Sequence, residues 1–407
     1  MATSRRNSDY TAFDYLEPGA DYRVYDLAAQ LDRVPADIVP LDADQEERVG
    51  RLEGDCLIIS MHDHPNQFPD EITETPHWIK DGHIPTAYEG LAHSNLHCVF
   101  DNLLDGICTI ESKSGWKWTE VLHDLGMRMA DIAQQEFVNQ ATTIADIHAA
   151  KENGTVAWVA TLEGAAMIEN ELDRLDVLYG FGVRSIGVTY NEQNHLGCGL
   201  REPNDTGLSL FGHGAVRRMN QLGILVDCSH CGDQTTLDTI EASEKPIVLS
   251  HVGARALWPT NRMVPDDVLR ACAAAGGVIG VEAAPHTTIT ENHSAHSIDS
   301  VMEHFEYIAE LVGIDHVGFG LDTTYGDHVG LHNTYAANLS LQDMRRSAEA
   351  DTTPDFTHVD YVRGLENPTE ASHNVVRWLV KNGYSDEDIS KVIGLNSLRV
   401  TEAAWGR

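Results

Sequence analysis

Two histidines, His62 and His64, follow the apolar run Cys56-Leu-Ile-Ile-Ser60. On an extended strand, residues i and i+2 face the same way. The pair therefore makes a two-point grip for a metal ion, and Asp63 between them turns into the wall. Other apolar runs also end in polar residues. Glu163 ends one in Thr161-Leu-Glu-Gly164, and Tyr190 another in Tyr190-Asn-Glu192. His230 follows Asp227-Cys-Ser229, His251 follows Ser250, and Asp322 stands in Leu321-Asp-Thr323. One histidine at the end of a run is most often an ordinary core or surface residue. Three histidine-bearing ends, a glutamate end and an aspartate end are hard to obtain by chance, even with 21 histidines in the chain. Imidazole with carboxylate suits Zn²⁺ first; Mn²⁺, Fe²⁺ or Co²⁺ accept similar ligands. If Glu163 bridges and His230 and His251 complete a second site, two divalent ions about 3.5–4 Å apart would share a hydroxide.

Weaker patterns receive plainer readings. Cys228-Ser-His-Cys231 has the spacing of half a structural zinc site, but the chain holds no second CxxC. His93 and His97 lie four apart without the glutamate of an HExxH pattern, so they read as ordinary polar residues. His195, His286, His293 and His296 fall in expected loops above the site and are candidates to touch a substrate.

The elements that must carry these residues are eight short apolar runs. They are 56–60, 106–110, 156–160, 185–189, 223–227, 246–250, 277–281 and 316–320. None alternates cleanly, which fits strands buried on both faces of a parallel sheet. Helix-period segments fall between them, at 118–134, 169–180, 235–243, 265–275 and 300–312. Eight strand–helix units in series predict an α/β fold, a (β/α)₈ TIM-like barrel; a doubly wound open sheet is the alternative. Chemistry in such a barrel sits at the C-terminal ends of the strands, where the polar residues fall, and this favours the barrel. The span exceeds the usual ~250 residues, so insertions are expected, the longest after the first strand at roughly 65–105. Residues 1–52, polar and Asp-rich, read as an N-terminal extension packed on the barrel of 53–407.

Charge narrows the partners. Lys+Arg number 28 against 63 Asp+Glu among 407 residues, a formal charge of −35. That excludes a phosphate backbone or an anionic membrane surface as the natural partner. No apolar stretch reaches the roughly 18 residues of a membrane span, and the N-terminus lacks a signal-peptide run. The seven cysteines read as reduced core thiols, and a cytoplasmic location is the expectation.

The order of these residues resembles the membrane (renal-type) dipeptidase family of metallopeptidases, in the amidohydrolase superfamily. The likeness covers most of the chain after residue 55. It rests on Leu162-Glu-Gly164, 182–189 (GVRSIGVT), 225–230 (LVDCSH), 246–251 (PIVLSH), 261–269 (NRMVPDDVL), 315–322 (DHVGFGLD) and 393–400 (IGLNSLRV). The resemblance implies a barrel with two divalent ions, Zn²⁺ first. His62 and His64 would hold one ion and His230 and His251 the other, with Glu163 bridging. It gives Asp322 the acid/base role and Arg262 the substrate's carboxylate. It implies a dipeptide or other small-molecule substrate, and the alternative is another small amide, such as an N-acyl amino acid, or a lactone. Barrels of this kind often pair, so a homodimer is compatible. Three departures stand out. The first-strand motif is His62-Asp-His64, where the family usually has His-x-Asp. Tyr190 stands where animal members place a substrate-polarising histidine; its hydroxyl is a candidate oxyanion donor. Val281-Glu-Ala-Ala-Pro-His286 replaces the usual Asn-Phe-Tyr-like loop that shapes the pocket.

Overall fold

The computed structural model describes residues 9–103, 116–338 and 354–406. Its strands are β1 (Ile59–Gln67), β2 (Cys98–Leu103), β3 (Val138–Gln140), β4 (Val156–Leu162), β5 (Val183–Gly187) and β6 (Leu225–Asp227). They continue with β7 (Val248–Val252), β8 (Val278–Val281), β9 (Val317–Phe319) and β10 (Thr324–Tyr325). The pairing runs β1-β2-β4-β5-β6-β7-β8-β9, and β10 returns beside β1. All pairs are parallel. Closure comes from the chain between β9 and β10: Asp322 N donates to His62 O at 3.0 Å, and His64 N to Thr323 O at 3.0 Å. The fold is a (β/α)₈ barrel. Every residue of β4 is buried, and a strand covered on both faces reads as such an unbroken apolar run.

Seven of the expected runs overlap strands, with ends shifted by up to several residues. The run 106–110 lies outside the described residues, and the second barrel strand is instead β2, inside the expected 65–105 insertion. The first connection therefore shrinks to 68–97, with helices Thr75–Asp81 and Tyr88–His93. β3 is an additional strand, paired with the start of β4. Helix ends move for local reasons. The expected 169–180 helix starts at Asp173, because a 3₁₀ turn over Ala166–Ile168 ends at Glu169 with φ 52°. The expected 300–312 helix starts earlier, at Ile298, where Ser297 and Ser300 form a capping box.

The residues before β1 are tied down by specific bonds. The Tyr10 hydroxyl (2.7 Å) and Phe13 N (2.6 Å) donate to Asp131, itself buried. Arg33 pairs with Glu366, and Val39 N donates to Asn374. Helix Ala43–Asp55, opened by an Asp42–Gln45 capping box, buries Val49 and Leu52. Behind β9, Asn396 donates to the carbonyls of Ile314 and Val317, both at 2.8 Å, and locks the last helix Asn396–Trp405 onto the barrel.

Candidate metal centre

Strand pleating brings the predicted residues together. β1 presents His62 and His64 on one face, their Nε2 atoms 3.1 Å apart. Asp63 turns into the wall and accepts from Thr323 N (2.9 Å) and the Thr323 hydroxyl (2.7 Å). Asp322 Oδ1 lies 3.2 Å from His62 Nε2 and 3.0 Å from His64 Nε2. Glu163 Oε1, just beyond β4, lies 3.0 Å from His230 Nε2, 3.5 Å from His251 Nε2 and 3.9 Å from His62 Nε2. His230 Nε2 and His251 Nε2 are 2.9 Å apart. The His62 and His251 rings lie with centroids only 3.4 Å apart. That density needs a backbone without side chains nearby: a Cβ on Gly320 would fall 2.9 Å from the Cβ of His62 and 2.2 Å from Ser250 O.

Outer partners orient each imidazole, as metal sites require. His64 Nδ1 bonds Asn102 O at 2.7 Å, and the Asn102 carboxamide reaches His62 Nδ1 at 2.7 Å. Asn191 Oδ1 holds His230 Nδ1 at 2.9 Å. The Ser250 hydroxyl holds His251 Nδ1 at 2.9 Å and donates to Asp227. Asp227 also takes the Ser229 hydroxyl at 2.7 Å. The Tyr190 ring stacks on His230 with a centroid distance of 4.4 Å. Sequence reasoning missed Asn102, Asn191, Asp227 and Glu282. Asn191 and Asp227 stand at strand ends, where the signal was available; Asn102 ends a run broken by Asp101.

Electrostatics favours a cation in this space. Burial drives His230 and His251 well below the ordinary imidazole value, which favours the neutral rings a metal ion needs. Burial also opposes a charge on His64, but the Asp322 carboxylate beside it wins and raises it to about 9. Burial alone would raise Asp322; the bond and charge of His62, and then the bond of His64, hold it well below the usual carboxylate range. Burial lowers His62 as well, so positive charge between these groups is favoured by the Asp322 and Glu163 carboxylates, not by the rings. The groups His62/His64/Asp322 and Glu163/His230/His251 each gather three ligand atoms within 4.8 Å of one another. Neutral imidazoles and carboxylates in this arrangement fit divalent ions of the Zn²⁺ kind.

Arg262 reaches the same centre, but its guanidinium is already bound. Nη2 donates to His251 O at 3.0 Å and to Glu282 Oε2, and Nη1 lies 3.4 Å from Ser229 O. Glu282, the residue after β8, is fully buried. The remaining candidates play smaller parts. His296 is buried on Thr288 and His286 N; His286 packs on Phe356 and His358; His195 is exposed; His293 faces Glu303. His97 Nδ1 accepts from Ile58 N. Cys228 and Cys231 are buried free thiols, and the candidate metal groups among the described residues include neither.

Fold and site together define a (β/α)₈ barrel with a candidate metal centre at the C-terminal ends of its strands. The model of the membrane dipeptidase family (peptidase family M19) matches residues 107–343, and the chain belongs to that family. It is 28% identical over 250 residues to the dipeptidase tcpJ of Claviceps purpurea, covering 61% of this chain and 51% of that protein. It is 30% identical over 191 residues to the dipeptidase aclJ of Aspergillus oryzae, covering 46% of this chain and 45% of that protein. The chain thus spans about half the length of these curated relatives. A solved amidohydrolase from Pseudomonas aeruginosa superposes with TM-score 0.69 at 24% identity, over 88% of this chain and 99% of that one. A metallo peptidase from Rhodobacter sphaeroides, liganded with a phosphinate mimic of the dipeptide L-Ala-D-Ala, superposes with TM-score 0.63 at 17% identity, over 86% and 100%. These two share the fold. Among the described residues, no helix is long and apolar enough to cross a membrane.

Proposed function

We propose that this protein is a metallo-dipeptidase that hydrolyses the amide bond of small dipeptides. The observation that carries the reading is the convergence of His62, His64, Glu163, His230, His251 and Asp322 at the strand ends of a dipeptidase-family barrel. His62, His64 and Glu163 would hold one divalent ion, and Glu163, His230 and His251 a second. Zn²⁺ is the first choice for that donor set. Such ions, when bound, supply a Lewis acid for the carbonyl oxygen and a water activated at neutral pH.

The chain's own groups do the rest. Asp322 sits at hydrogen-bonding distance from both first-strand histidines, where its carboxylate takes the proton of the attacking water and returns it to the leaving amine. The Tyr190 ring forms a wall beside His230 and offers its hydroxyl to the developing oxyanion. Arg262 marks the far end of the substrate. A second reading, the same scaffold acting on another small amide or a lactone, is favoured by Glu282 on Arg262.

Metal analysis followed by a substrate screen tests the proposal. The expected result is two divalent ions per chain and hydrolysis of L,L or L,D dipeptides, abolished by chelation and restored by added metal. Hydrolysis of N-acyl amino acids or lactones without any dipeptide would move the assignment to the second reading. Full activity after complete chelation would remove both.

A further inference from the structure

Glu282 changes what the far end of this site can recognise. A free guanidinium reads a carboxylate with two parallel N–H bonds. Here Nη2 of Arg262 is spent on Glu282 Oε2 and His251 O, and only 13% of the Arg262 side chain is exposed. An arriving carboxylate would find that fork already taken up by Glu282 and by the His251 carbonyl. Glu282 is fully buried, and its second oxygen, Oε1, has no hydrogen-bond partner among the described residues. The Thr287 hydroxyl near it donates to Ala284 O at 2.6 Å. Buried acceptors are expensive to leave unsatisfied, so Oε1 calls for a donor. The Glu282 carboxyl borders the candidate centre: one of its oxygens, a His251 nitrogen and an Asp322 oxygen lie within 4.8 Å of one another.

We propose that Glu282 is a specificity-determining residue which, with Arg262, selects substrates whose far end is an uncharged carboxamide over those ending in a free carboxylate. A carboxamide matches the pair atom for atom. Its C=O accepts from Arg262, and its N–H donates to Glu282 Oε1. The inference rests on the dipeptidase reading for the reaction, and it adds the chemistry of the substrate's distal end.

Two arms test it on the metal-loaded full chain. The first compares kcat and KM for Ala-Ala and Ala-Ala-NH₂. The amide is expected to be preferred by about 10-fold or more in kcat/KM, mostly through KM, because a pocket built to pair with an N–H rejects the analogue lacking it. Glu282→Gln, which leaves Arg262 charged, is expected to reverse the order with bound metal unchanged. The second arm measures Kd by calorimetry for phosphinate dipeptide mimics ending in carboxylate or carboxamide, and needs no turnover. Tighter binding of the carboxamide mimic is expected. Equal preference or a preference for the free carboxylate in the wild type overturns the proposal. So does a Glu282→Gln protein that has lost metal, since Glu282 would then be a ligand. If neither substrate is cleaved, the dipeptidase reading fails and the calorimetric arm alone decides this one.

Discussion

At the scale of single residues, the site's strain and its chemistry meet at Asp322. Its backbone has φ 57°, a left-handed conformation uncommon for a residue with a side chain. Such strain persists where surroundings over-determine it, as at functional sites. Asp322 N is held by His62 O while its carboxylate touches both Nε2 atoms of the first-strand pair. Asp322→Asn keeps the shape but removes the base. The expected outcome is a loss of roughly 10²–10⁴-fold in kcat with metal content retained; a fully active, fully loaded Asn variant would refute the role. The candidate ligands were legible as a cluster because strand-end histidines and carboxylates coincide on several strands. Glu282 was not. It stands in Val281-Glu-Ala-Ala-Pro-His286, which read only as an altered pocket loop. A sequence does not say that a carboxylate after β8 and an arginine after β7 share one buried contact.

At the scale of elements, β2 shows why one strand escaped. Cys98-Val-Phe-Asp-Asn-Leu103 places two polar residues in a fully buried strand. Apolar runs mark buried strands only when their polar positions are not in use. Here Asp101 accepts from Arg128 Nη1 at 2.7 Å and from Trp158 Nε1 at 2.6 Å, joining β2 to β4 and to helix Trp118–Ile132. Asn102 reaches His62. The strand was disguised by the groups that position the first-strand histidines. Arg128 is 3% exposed, so Asp101→Ala strands a buried cation. Breaking such a pair costs about 3–5 kcal/mol. Urea unfolding should show that loss, whereas a change under about 1 kcal/mol would place the pair among weak surface bridges. The other strands were readable for the opposite reason: β4, β7 and β8 are buried along their whole length, and their sequences stay mostly apolar up to the residue that enters the site.

At the scale of the whole molecule, the charge of −35 asks where the acid goes. Four carboxylates, Glu163, Asp227, Glu282 and Asp322, are buried around the centre among histidines and Arg262, so they contribute little to long-range repulsion. Glu46, Asp173, Asp176 and Asp386 do find arginines, but at exposed positions where such pairs stabilise weakly. Asp63, Asp101, Asp131 and Glu366 are buried as well, but most other acids among the described residues are at least partly exposed, on a chain with few lysines. An acidic surface destabilises its own compact state by self-repulsion, and salt shortens the reach of that repulsion from about 10 Å at 0.1 M to about 3 Å at 1 M. The metal-loaded protein should therefore melt at a higher temperature in molar KCl than in low salt. The arginine pairs on the surface oppose this trend, since salt screens attraction too, so the sign of the change reports which population dominates. Their individually small contributions against so large an excess favour a rise. Calorimetric melting at fixed pH and fixed metal decides it. A Tm that stays level or falls with KCl would mean that the acid is already neutralised locally, and that the net charge has no part in the stability of the fold.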